Sequence, residues 1–161
     1  MNASKLRVIQ QFNERVSRDE LTSDIEITYR VTGGMPDESI EEEFTLSGNA
    51  RAHVVSADPR QSKLQRKVSA KLDRGEARAL FELAGKGFAD LATRPAQRFL
   101  PDSTVGSITI RIGNEEAEVC FLTDEDQRVD QGKPISPELA SAIERFGMIS
   151  KRLLAYAGGL R

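Results

Sequence analysis

The alternation of Ile25, Ile27, Tyr29 and Val31 with Glu26, Thr28, Arg30 and Thr32 constrains this chain more than any other feature. A strand sends successive side chains to opposite faces, so this run predicts one apolar and one polar sheet surface. Gly33-Gly34-Met35-Pro36-Asp37 ends it, because two glycines and a proline do not continue a strand interior. A second alternation carries Ile40, Glu42, Phe44 and Leu46 on one face, and Ser47-Gly48-Asn49 reads as a tight turn. Residues 50–56 read as a third strand. Placing Ala52 and Val54 inward buries fewer polar groups than placing Arg51, His53 and Val55 there. The three together predict an antiparallel meander, and Val68, Ala70 and Leu72 suit a short edge strand beside it.

Helical patterns surround these strands. Leu6, Ile9, Phe12 and Val16 make a narrow stripe over roughly residues 4–19, compatible with packing on the domain, pairing with another subunit, or fraying. Asp73 and Glu76 have the spacing of a capping box. Ala77, Leu80, Phe81 and Ala84 form the apolar face of the helix that follows, and Gly85-Lys86-Gly87 is expected to stop it. Thr93–Ser103, with Pro95 and Pro101, reads as a long loop. Ile108, Ile110 and Ile112, the Gly113-Asn114 turn, and Val119 with Phe121 spell a hairpin. Ser136 and Pro137 then open a last helix carrying Leu139, Ile143, Phe146, Ile149 and Leu153, with Gly158-Gly159 at its end. The expected fold class is α+β: an antiparallel sheet, made of a three- to four-stranded meander plus a hairpin, with helices packed on one face. An N-terminal helical extension, residues 1–22, precedes a single domain, residues 23–161.

Composition narrows the chemistry. One histidine, one cysteine and no tryptophan occur in 161 residues. Two-nitrogen and two-thiolate metal sites therefore cannot form within one copy, and an internal disulfide is excluded. The formal net charge is −2, so bulk charge does not recruit nucleic acid. Neither a membrane-spanning run nor a signal peptide is visible, and a cytoplasmic location is expected. His53, mid-strand, lacks a local motif for general-base work and reads as solvent-facing. Cys120, between Val119 and Phe121, reads as a buried, inert thiol. Asp124-x-Asp126 fails as a calcium loop, because Arg128, Val129 and Ile135 stand where a further oxygen ligand, glycine and glutamate are needed. No catalytic residue, metal or cofactor is assigned.

Candidate binding residues come from loops and charge. Gly33, Gly34, Met35 and Pro36 form a presented tip, and Arg94, Arg98 and Phe99 lie in the long proline-bearing loop. Residues 37–43 carry Asp37, Glu38, Glu41, Glu42 and Glu43 with no base. Residues 58–78 carry Arg60, Lys63, Arg66, Lys67, Lys71, Arg74 and Arg78 against three acids, Asp58, Asp73 and Glu76. Within that basic segment Arg66 and Lys67 are the residues singled out. An ordinary solvated surface accounts for it; as a binding segment it contains no aromatic residue, so it lacks a stacking platform for single-stranded nucleic acid and an acidic protein partner suits it better.

The element order, with Val31-Thr32-Gly33-Gly34-Met35, a Ser-Gly turn, Phe88-Ala89-Asp90-Leu91 closing a helix, and Asp102 before an Ile-rich hairpin, resembles small bacterial α+β domains of mostly unknown function. Emfourin-type inhibitors of thermolysin-like metalloproteases are among them. The resemblance spans about residues 24–157, and methionine stands where an aromatic residue is expected after Gly-Gly. It implies a compact domain without catalytic machinery. The leading expectation is a non-enzymatic binding or regulatory module with a protein partner, monomeric or homodimeric, without membrane or nucleic-acid association. One rival is a small hydrolase or isomerase using Asp102, Glu118 and Arg111. The other is an assembly protein dimerising through the 4–19 or 137–157 helix.

Overall fold

The computed structural model describes residues 3–33, 40–57, 65–92, 104–122 and 137–159. Six strands, β1 (Ile25–Gly33), β2 (Ile40–Ser47), β3 (Arg51–Ala57), β4 (Gln65–Lys71), β5 (Thr104–Ile112) and β6 (Glu115–Leu122), form one antiparallel sheet in the order β4-β3-β2-β1-β5-β6. Three helices, α1 (Ala3–Ser17), α2 (Arg74–Ala92) and α3 (Pro137–Gly159), pack on one face of it. The fold is α+β.

The alternation read from β1 holds: Ile25, Ile27 and Tyr29 are buried, and with Phe44, Leu46, Ala52, Val54, Ile108 and Ile110 they floor the core. Phe146 of α3 lies on this floor, its ring centroid 5.4 Å from Tyr29 and 5.2 Å from Phe44. Phe12 of α1 meets Phe81 of α2 at 5.8 Å. Each such ring adds roughly 1.5–3 kcal/mol on leaving water, so aromatic side chains tie α3 to the sheet and α1 to α2.

The α1 stripe differs from the expected one. Val8, Ile9, Phe12 and Val16 are the buried residues, while Leu6 is 44% exposed. Helix α1 thus shares the core of the sheet domain. It ends without glycine: Asp19 takes a positive φ of 57°, Glu20 N–H donates to Arg15 C=O at 2.9 Å, and Asp19 N–H donates to Val16 C=O at 3.2 Å. That paired bonding closes the last turn with aspartate in the place glycine usually takes.

Helix α2 also departs from expectation. Asp73 caps it, its Oδ2 accepting from Gly75 N–H at 3.0 Å and Glu76 N–H at 3.3 Å. Gly85 and Gly87 do not stop it, and it runs on to Ala92. Both glycines are sites of close approach. A Cβ at Gly85 would collide with the Asn13 side chain of α1, and one at Gly87 would lie 2.9 Å from Leu139 Cα of α3. Helix α2 is therefore wedged between its two neighbours, and the missing side chains let the axes come together.

Candidate binding surface

With the three described helices on one side, the opposite sheet face is bare of described structure. The registers arrange its side chains in rows across all six strands. One row reads Lys71, Arg51, Ser47, Glu26, Arg111, Glu116 from the β4 edge to the β6 edge. The next reads Ser69, His53, Thr45, Thr28, Thr109, Glu118, and a third Lys67, Val55, Glu43, Arg30, Ser107, Cys120.

Charges in the middle of this face are matched. Arg30 Nη2 meets Glu43 Oε2 at 2.5 Å, and Arg111 Nη2 meets Glu26 Oε2 at 2.9 Å. Elsewhere Arg7 pairs with Glu115, Arg15 with Asp24, Arg18 with Glu14, Arg78 with Asp19 and Glu82, and Arg152 with Glu76. The β4 end is different. Arg51, Lys67, Lys71 and Arg74 are exposed and make no ion pair among the described residues. Lys71 stands directly across from Arg51, a like-charge juxtaposition that costs rather than stabilises. Leu72 N–H donates to Ala50 C=O at 2.7 Å, which holds the end of β4 against the β2–β3 turn. Beside that turn a cleft of about 240 Å³ opens, lined in part by Asp19, Gly48, Ala50, Arg74 and Arg78, with Arg78 paired to Asp19. The corner where β3, β4 and the start of α2 meet thus carries Arg51, Lys71 and Arg74 without an ion pair among the described residues.

Of the residues singled out from sequence, Lys67 falls in this corner, across from Val55, and Arg66 sits next to it across from Ser56. Gly33 ends β1 across from Ile40 and Thr104, three strands from β4. Gly34, Met35, Pro36, Arg94, Arg98, Phe99 and Asp102, together with the Asp124–Asp130 stretch, lie outside the described residues. Arg51 was missed because it belongs to a different segment from the basic run. Only the β3–β4 register brings it beside Lys71.

The groups with chemical potential are engaged or open to water. His53 Nδ1 and Ser69 Oγ share a hydrogen bond of 2.6 Å. The register neighbours of His53 are Thr45 and Ser69, so no carboxylate stands opposite it to orient a base. Glu118 accepts from Thr109 Oγ1 at 3.1 Å and from Cys120 Sγ at 3.7 Å, while Arg111 is committed to Glu26. Cys120 corrects the expectation of a buried thiol: it is exposed, because Ala117 and Val119 take the inward positions of β6. Partial desolvation, and then the neighbouring Glu118 carboxylate, push its pKa up, which disfavours the nucleophilic thiolate. Asp24 is held well below the usual carboxylate range, first by the Arg15 guanidinium and then by the Thr22 hydroxyl. Arg15 also reaches Glu20 C=O at 2.9 Å, so this cluster ties the end of α1 to the start of β1. Among the described residues no group of three or more histidine, cysteine or acidic side chains is placed to hold a metal. No described helix is long and apolar enough to cross a membrane.

No protein-family model matches this chain, and no curated protein matches it. The case for function therefore rests on the geometry.

Proposed function

We propose that the protein is a non-enzymatic binding or regulatory module that recognises a protein partner through the basic corner formed by Arg51, Lys67, Lys71 and Arg74. The observation that carries this reading is the like-charge pair of Arg51 and Lys71 on the open face of the sheet. Arg30 and Arg111, on the same sheet face, meet carboxylates, whereas Arg51 and Lys71 stand across from each other and, like Lys67 and Arg74, make no ion pair among the described residues. Clustered unpaired charge costs folding free energy, and an anionic partner recovers it on binding. No aromatic residue stands among the four, which disfavours base stacking and favours an acidic protein surface.

Affinity capture from a lysate, followed by mass spectrometry, tests the reading with wild-type protein beside an Arg51→Glu, Lys71→Glu, Arg74→Glu variant. A protein retained by the wild type and lost by the variant supports it. Identical captures, or turnover of a substrate by the purified protein, overturn it.

A further inference from the structure

We propose that β4 is a docking edge for an extended acidic segment of a partner protein, which adds to the sheet as a seventh strand. This rests on the binding-module reading above and specifies its mode. Strand β4 ends the sheet, so by ladder geometry half of its backbone N–H and C=O groups point away from β3, with no described strand beyond them. Lys67, Ser69 and Lys71 follow one another along the uncovered face of this edge. An added strand lies about 4.8 Å away and sets its own alternate side chains beside them. Lys67 and Lys71 are four residues apart, roughly 13 Å along a strand, so the matching segment carries acids at the first and fifth of five extended positions and a small polar residue between. Arg51, one strand further in, adds a second cation behind Lys71.

Lysine on an edge strand also guards against unwanted pairing. That role asks for charge on β4 alone. It does not account for Arg51 inside the sheet, directly across from Lys71.

The experiment titrates the full-length protein into a short fluorescein-labelled peptide, valine-rich, with glutamates four positions apart around a central serine. A second peptide is N-methylated at alternate backbone nitrogens, which removes donors without altering charge. The expected result is saturable binding that falls at least about tenfold on N-methylation, falls similarly in a Lys67→Glu, Lys71→Glu variant, and returns in that variant with a lysine-for-glutamate peptide. Unchanged thermal melting of the variant confirms that it folds. Equal binding of the N-methylated peptide overturns strand addition while leaving the basic corner as a charge-recognition site. Absence of binding, tighter binding of a single-stranded DNA oligomer, or a concentration-dependent doubling of mass without peptide likewise overturns the proposal.

Discussion

Gly87 of α2 lies against Leu139 of α3 so closely that a Cβ there would stand 2.9 Å from both Cα and Cβ of Leu139. Backbone cannot yield as a side-chain tip can. Gly87→Ala is therefore expected to destabilise by about 1–3 kcal/mol through overpacking. Gly147 of α3 has no atom within 4 Å of its virtual Cβ, and Gly147→Ala is expected to stabilise by about 0.5–1 kcal/mol through helix propensity alone. Urea denaturation of both variants checks the pair. Equal effects would contradict the close crossing of α2 and α3.

Ser150 is buried, and its Oγ finds no hydrogen-bond partner among the described residues. An unsatisfied buried hydroxyl carries a desolvation cost without compensation. Ser150→Ala is expected to raise stability by about 1 kcal/mol, read as a higher melting temperature. A lower one would mean that the hydroxyl is satisfied.

The Arg15–Asp24 pair sets a pH dependence. Asp24 has a lowered pKa in the folded state, so its contribution is present above the ordinary aspartate value of about 3.9 and is lost as pH falls through the lower folded value. Half of the Asp24 side chain is exposed, and solvent screening limits the effect to about 1 kcal/mol. Asp24→Asn is expected to be destabilised near neutrality and to converge with the wild type in acid. A gap independent of pH would show that the charge has no role.

Cys120 is exposed yet predisposed against reaction. Its alkylation by iodoacetamide is expected to rise with an inflection above the free-thiol value of about 8.5. Glu118→Gln should lower that inflection only part of the way, because partial burial is the larger cause and remains. An inflection at or below the free-thiol value in the wild type would refute this account.

The strand periodicity of residues 25–31, 44–46 and 52–54 was legible because each side chain faces either core or water, and burial follows parity. Helix limits were harder to read. Gly85 and Gly87 look like stop signals, but their role is tertiary and appears only when α1 and α3 are in place. Asp19 closes α1 in a conformation that sequence associates with glycine. The apolar neighbours of Cys120 suggest burial, whereas β6 is an edge strand whose outward positions stay wet. The basic corner is half visible in the sequence. Lys67 and Lys71 stand in a basic run, whereas Arg51 joins them through strand register, a long-range property that no local window contains.

The sheet is electrically lopsided across its width. Strand β4 carries Arg66, Lys67 and Lys71 without an acid, and β6 carries Glu115, Glu116 and Glu118 without a base. Opposite borders of opposite sign polarise the sheet from one edge to the other, and a charged visitor feels that field before touching it. Approaching anions are turned toward one border and away from the other, so encounter rates rather than residence times should respond most steeply to ionic strength.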